Sequence, residues 1–270
     1  MSEQNVSGRG RVWFTALSAG STPLEGLAPS VLASDTMLGA TPVRMIAIVP
    51  DADNRFPRAA RGEVGLLEGW TVARVVREVI VADKDQAVKR PIVAIVDVPS
   101  QAYGRREEAY GIHQALAAAG AAYASARLAG HPVVALIVGK AMSGGFLAHG
   151  YQANRLIALN DVGVVVHAMN KAAAARITLR SVEQLEALAE KVPPMAYDVK
   201  NFSTLGLLWK LIDVGNPEQP SAADLQVAEQ ALQAAIADIA TTPRDLSGRL
   251  VATTREASRK VRELLKAQWH

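Results

Sequence analysis

Apolar positions in this chain follow two different periods. Three blocks, Val43–Val49, Ile92–Val98 and Val133–Gly139, are apolar without alternation, apart from Arg44 and Asp97, and of strand length. Such runs suit strands buried on both faces of a sheet. Pro50, Pro99 and Gly139 close them. Between them the period lengthens to that of a helix. Leu66–Ala82 is predicted helical, with Leu67, Trp70, Ala73, Val76 and Ile80 on one face, and Glu107–Leu128 is an alanine-rich helix stopped by Gly130–Pro132. Before the first block, Arg11–Leu17 and Ser30–Leu38 read as β-prone, and Asp51–Arg61 reads as loop. After the third block come a helix over Ser143–Gln152 and short strands at Leu156–Leu159 and Gly163–Val166. Helices then dominate. Ser181-Val-Glu-Gln184 and Ser221-Ala-Ala-Asp224 have the form of N-terminal caps, and Arg255–Gln268 is a last helix. Buried strands alternating with helices predict an α/β fold with parallel pairing. No repeat or linker divides the chain. The expected organisation is one compact unit, with a main domain over residues 1–215 and a helical C-terminal extension over 216–270.

Composition narrows the function classes. Half of the 270 residues are apolar, enough for a sizeable core, and there is no cysteine. Disulfides, thiol catalysis and thiolate metal sites are therefore excluded. No apolar run approaches the ~18 residues that span a bilayer. Met1 to Arg11 is polar and mixed in charge, unlike a secretory leader, so a soluble cytoplasmic protein is expected. The net charge of +3 is uneven: residues 244–270 hold seven basic and three acidic side chains, leaving the remainder close to neutral. That tail reads as a solvated amphipathic helix or as a dock for something anionic. Apart from Trp269 no aromatic side chain interleaves with its charges, so nucleic acid is not an expected partner. Metal-ligand spacing, a P-loop and a dinucleotide fingerprint are all missing, and no metal or nucleotide cofactor is expected.

The candidate chemistry lies at Gly139-Lys-Ala-Met-Ser-Gly-Gly-Phe146, between a buried strand and an apolar helix. Unpaired amides at such a junction can stabilise an oxyanion, one donor being worth roughly 2.7–4 kcal/mol in a transition state. Gly-Gly also occurs in turns for conformation alone.

Several motifs in order carry a resemblance. Asp97-Val-Pro-Ser-Gln101, then Gly104-Arg-Arg-Glu-Glu108-Ala-Tyr-Gly111-Ile112, an alanine-rich helix, Gly139-Lys-Ala-Met-Ser-Gly-Gly145 and Met169-Asn-Lys-Ala-Ala-Ala174 follow one another. Residues 45–215 resemble the C-terminal half of the biotin-dependent carboxyltransferases. There the corresponding segments read roughly Asp-Thr-Pro-Gly-Phe, Gly-x-x-x-Glu-x-x-Gly-Ile, Gly-Lys-Ala-Tyr-Gly-Gly-Ala and Met-Gly-Pro-Glu-Gly-Ala. The departure at Pro99-Ser100-Gln101 falls on a turn that helps hold biotin in that family. With that turn altered, the chain looks like the gamma subunit of biotin-independent malonate decarboxylase.

The resemblance implies a crotonase-like ββα superhelix and an active site shared with a homologous beta subunit. It implies a malonyl thioester on the phosphopantetheine arm of an acyl-carrier subunit, with coenzyme A able to occupy the site. The products would be carbon dioxide and an acetyl thioester. In that chemistry the amides of Gly144 and Gly145, with Ser143, would stabilise the enolate or orient the carboxylate. Pro99, Ser100, Gln101, Tyr110, Met142 and His149 would line the site. Proton donors include water, His149, His113, Tyr110 and Tyr103, undistinguished by spacing. Glu108 would organise its loop. Arg105, Arg106, Arg259 and Lys260 are candidates for docking the carrier. Plainer readings stand beside these: Ser143 as a cap, His149 as packing, Met142 and Phe146 as core, the arginines as solvated. Three other functions compete. Ser143 followed 24 residues later by His167 resembles a Clp-like serine hydrolase, without a clearly placed Asp. A biotin-dependent carboxyltransferase subunit and a non-catalytic scaffold are the others.

Overall fold

The computed structural model describes residues 6–269. Residues 1–5, part of the N-terminal stretch discussed above, and residue 270 lie outside the described residues. One sheet is built from β1 (Val31–Leu38), β2 (Thr41–Ile48), β3 (Ile92–Val98), β4 (Val133–Met142), β5 (Arg155–Leu159), β6 (Val165–His167) and β7 (Lys210–Ile212). Its order is β1-β2-β3-β4-β5-β7, with β6 also on β4. The β1–β2 hairpin is antiparallel and every other pairing is parallel. β3 is buried at every position, as its apolar run Ile92–Val96 requires.

β4 forks, and the fork positions the site. Val134–Ile137 pair with β5, whereas Lys140–Met142 pair with β6. The far end of β4 is thus held by a different neighbour from its beginning, and the chain turns at Ser143 into α5 (Ser143–Ala148). Arg155–Leu159 and Val165–His167 lie close to the two short strands expected. β7 was not expected; three residues give too short a pattern to read.

The helices follow from small residues as much as from large ones. α2 (Leu66–Ala82) has the expected bounds, but its buried face is Leu66, Gly69, Val72, Ala73, Val76 and Val79, and Trp70 is about half exposed. The reason is Gly69. A Cβ there would lie 2.6 Å from the Ala115 carbonyl oxygen, so α2 presses its glycine onto α4 (Ile112–Leu128) and rotates Trp70 outward. The single helix expected over Glu107–Leu128 is broken into α3 (Arg105–Ala109) and α4 by Gly111, at φ +80°. Arg11–Leu17, expected as strand, belongs to α1 (Arg9–Leu17). Trp13, Phe14 and Leu17 are buried at helical spacing, and the Trp13 indole donates to the Pro217 carbonyl at 2.8 Å. The helix over Ser143–Gln152 stops early, because His149 is extended and Gly150 takes φ +104°.

Beyond β6 come α6 (Lys171–Ile177), α7 (Val182–Ala189), α8 (Val199–Ser203), α9 (Ala222–Ala240) and α10 (Glu256–Gln268). The Ser181 and Ser221 caps form as read: each hydroxyl accepts from the amide three residues on, and that residue's side chain answers. α9 buries Ala228, Ala231, Leu232 and Ala235 in the main core. Three arginines hold the segment before α10. Arg127 donates to the Arg244 carbonyl, Arg155 to Thr242 (2.9 Å), and Arg249 to the carbonyls of Tyr151 (2.7 Å) and Ala153. α10 itself buries no side chain among its described residues. The helical C-terminal region is thus present, and no described helix is long and apolar enough to cross a membrane.

Candidate active site

The site is built where two loops meet: the turn after β3 and the turn after β4. Asp97, near the end of β3, is buried and ties three segments together. One carboxylate oxygen accepts from the Lys140 amide at 3.0 Å, and the other accepts from the Gly10 amide at 3.1 Å and from the Ser7 hydroxyl. A side chain at Gly139 would run into this carboxylate. The Asp97 and Gly139 positions are therefore one structural unit.

Pro99, Ser100 and Gln101, all half-buried, lie against the second turn. The Ser100 carbonyl accepts from the Val64 amide at 3.0 Å, and Ala102 returns a bond to the Val64 carbonyl at 2.7 Å, so this turn is pinned on its outer side. On its inner side the Ser100 carbonyl presses on Gly145, where any Cβ would collide with it. The Gln101 carboxamide oxygen accepts from the Gly144 amide at 2.9 Å. Ser143 is in the left-handed region at φ +55°, rare for a residue with a Cβ. The expected residues Ser143, Gly144, Gly145, Pro99, Ser100 and Gln101 are thus brought together. The Gln101–Gly144 bond was not legible in the motifs beyond the presence of a polar side chain at that turn.

Other expected residues lie elsewhere. His149 does not line the site: it is fully buried beneath the turn. Its Nε2 lies 2.9 Å from the Ile95 carbonyl oxygen, which can only accept, so Nε2 carries the proton. Nδ1 then accepts from the Tyr123 hydroxyl at 3.0 Å. Burial pushes the His149 pKa down to about 4, with the Ile95 bond opposing. Neutral, enclosed and doubly bonded, it is no proton donor to a substrate. Met142 is buried in a cluster with Ala174, Leu185 and Tyr197. Tyr110 is exposed, with Arg106 5.9 Å from its ring and 5.3 Å from that of Phe56. Tyr103 carries Arg58 over its ring at 4.2 Å. Arg105 and His113 are exposed. Glu108, expected to organise its loop, is exposed; the buried carboxylate is the neighbouring Glu107, packed on Gly104. At the C-terminus Lys260 is exposed, and Arg259 already donates to the carbonyls of Leu250 (2.6 Å) and Ala252 (2.9 Å).

The serine-hydrolase arrangement is half present. β6 pairs Met142 with His167, which brings His167 beside the Ser143 turn. Its ring, however, stacks on Tyr197 with centroids 3.9 Å apart, and Nδ1 lies 3.1 Å from the Met169 carbonyl oxygen. Burial lowers its pKa. The Met169 backbone rather than a carboxylate thus orients it, which removes the member that would stabilise an imidazolium.

The sequence family described as malonate decarboxylase gamma subunit matches residues 59–269. A Pseudomonas malonate decarboxylase hetero-tetramer, solved in complex with coenzyme A, contains a chain 62% identical to this one. The match covers 97% of this chain and 100% of that one, with a TM-score of 0.94. The Pseudomonas malonate decarboxylase MdcD–MdcE hetero-dimer gives 59% identity over 97% and 99% of the two chains, with a TM-score of 0.90. The malonyl-S-ACP:biotin-protein carboxyltransferase MADD of Malonomonas rubra is 36% identical over 189 residues, which is 68% of this chain and 65% of that relative. The chain therefore spans just under two thirds of that relative's length. Transcarboxylase 12S, at 18% identity and a TM-score of 0.65 over 86% of this chain and 42% of that one, has the same fold. The ordered motifs, the forked strand that presents Ser143–Gly145 to Pro99–Gln101, and a family match running from residue 59 to 269 make this chain a member of the malonate decarboxylase gamma subunit family.

Proposed function

We propose that the chain is the gamma subunit of a biotin-independent malonate decarboxylase. Paired with a homologous beta subunit, it decarboxylates a malonyl thioester carried on the phosphopantetheine arm of an acyl-carrier subunit. The carrying observation is the 62% identity, across 97% of this chain, with a chain of the Pseudomonas enzyme. In the reaction the bond from the α-carbon to the carboxylate breaks. Its electron pair passes into the thioester carbonyl as an enolate, carbon dioxide leaves, and the α-carbon takes a proton. Catalysis then asks for fixed dipoles near the developing oxyanion and a carboxylate held out of the carbonyl plane. The turn at Ser143–Gly145 supports this role. Close packing of Gly145 on the Ser100 carbonyl holds its backbone in place. The Gly144 amide is held by Gln101, so a substrate oxygen using that donor must displace the carboxamide. Coenzyme A thioesters would serve as carrier mimics.

The test is carbon dioxide release from malonyl-carrier and malonyl-CoA by the chain co-expressed with its partner subunits. Release that needs the homologous partner and ignores avidin is expected. One observation favours a second reading: the Malonomonas relative is a carboxyltransferase acting on a biotin protein. Release or transfer blocked by avidin would establish that reading and overturn the first.

A further inference from the structure

The elbow between α6 and α7 carries features that neither the core nor the turn accounts for. α6 closes with the Arg180 amide donating to the Ala175 carbonyl at 2.9 Å, which puts Leu179 at φ +54°. Glycine or asparagine usually fills this left-handed position, because a Cβ crowds the backbone there. Here a leucine fills it, and its side chain is 92% exposed; Ile177 beside it is 66% exposed. A shallow groove of about 520 Å³ adjoins them, with Leu179, Ala187 and Leu188 as its apolar wall, Arg180 and Lys191 as its charges, and no carboxylate in its lining. Among the described residues neither these two cations nor Arg176 meets a carboxylate within ion-pair distance. On its inner face α7 buries Leu185 against Met142, next to Ser143. The elbow is thus anchored beside the candidate site and turns a strained, solvent-facing aliphatic surface ringed by unpaired cations outward.

We propose that this elbow docks the acyl-carrier subunit, an apolar patch on the carrier receiving Leu179 and Ile177 while surrounding carboxylates meet Arg176, Arg180 and Lys191. This rests on the function proposed above. Charge and size favour a carrier over the beta subunit as occupant. Charge is depleted from the buried centre of an interface, Lys191 being the least suited of the three to such burial, whereas a small apolar contact with a charged rim suits a partner that is steered in and released each turnover. Two of the other candidates are less suited: Arg259 is committed to two carbonyls, and Arg106 lies over Phe56 and Tyr110.

The test compares Leu179→Gly and the double variant Arg180→Glu/Lys191→Glu with the parent, all in the assembled complex. KM for malonyl-carrier should rise at least tenfold with kcat little changed, while both constants for malonyl-CoA stay put. The parent's KM for malonyl-carrier should rise with salt, and that dependence should fall in the charge-reversed variant. Leu179→Gly should hold or raise Tm, because it relieves the left-handed residue, which a merely structural leucine would not allow. Equal constants on both thioesters, or loss of the beta subunit on gel filtration, would overturn the proposal; the second outcome would make the elbow a subunit interface. If the parent releases no carbon dioxide from either thioester, the functional reading fails separately. Calorimetric titration of unacylated carrier onto the complex then decides docking by itself: binding weakened in both variants supports it, and no binding overturns it.

Discussion

Ser143 and Leu179 are the two non-glycine residues with left-handed backbones among those described, at φ +55° and +54°. The same dihedral is held in two different ways. At Ser143 the tertiary structure enforces it. β4 is locked to β6 up to Met142, Gly144 is bonded to Gln101, and Gly145 abuts the Ser100 carbonyl. At Leu179 only the closing bonds of α6 enforce it, and the side chain projects into solvent. Strain of roughly 1–2 kcal/mol at such a residue is thus spread over a packed junction in one case and carried by a single exposed position in the other. A junction that rigid suits fixed dipoles. A position that strained and that exposed makes sense when its side chain serves something outside the chain.

The comparison breaks most sharply at Gly145. Replacing it by alanine puts a Cβ into the Ser100 backbone, which is pinned from behind by Val64 and cannot retreat. A destabilisation of about 3 kcal/mol is expected, as for overpacking in a well-filled core. Urea unfolding measures it, and a cost below about 1 kcal/mol would show that the junction yields. The same clash bars Gly145→Val as a test of whether the amides act chemically, because loss of structure and loss of a donor would coincide.

Acid tests the floor of the same junction. His149 is neutral and enclosed, with its pKa pushed down to about 4 by burial. In the unfolded chain a histidine titrates near 6.5. Below that pH the unfolded state binds a proton that the folded state refuses, so the contribution is complete above pH 6.5 and is lost as pH falls toward 4. At about 1.4 kcal/mol per unit, roughly 2 kcal/mol goes between pH 7 and pH 5. Stability curves for the parent and for His149→Gln should therefore converge as pH drops. Parallel curves over that range would show that another group governs the acid limb.

How far this was readable before the structure varies by element. β3 and the bounds of α2 were legible, because an apolar run and a helical period are local signals. α1 was not. Val12, Trp13, Phe14 and Thr15 are β-prone, and their helix depends on Asp97, some 87 residues away from Gly10, accepting from the Gly10 amide. Trp70 was misplaced because the packing centre of α2 is Gly69, a residue without a side chain and so without a hydrophobic signal. At the site, motif order identified both turns, but not that Gln101 occupies the Gly144 amide. Nor could helical spacing show that α5 ends at Ala148 and sends His149 inward. Caps were legible at Ser181 and Ser221 because they are written within four residues. The left-handed Leu179 left no mark, since leucine is the residue that such a position ordinarily avoids.

The smallest effect sharpens the comparison furthest. Glycine at either left-handed position removes the Cβ penalty of roughly 1–2 kcal/mol and adds a backbone-entropy cost of roughly 0.5–1 kcal/mol. Both Ser143→Gly and Leu179→Gly should then stabilise the chain by about 0.5–1 kcal/mol, a shift near the limit of equilibrium unfolding and best read as paired Tm values. Equal gains are expected if strain alone is relieved. Ser143 sits in a junction that has adapted around it, between a bonded Gly144 and a buried Met142. If the surroundings take up part of its strain, the gain at Ser143 will be the smaller. A loss at Ser143 with a gain at Leu179 would mean that the serine hydroxyl holds the turn together, and turnover of malonyl-CoA by Ser143→Gly would then fall with stability rather than independently of it.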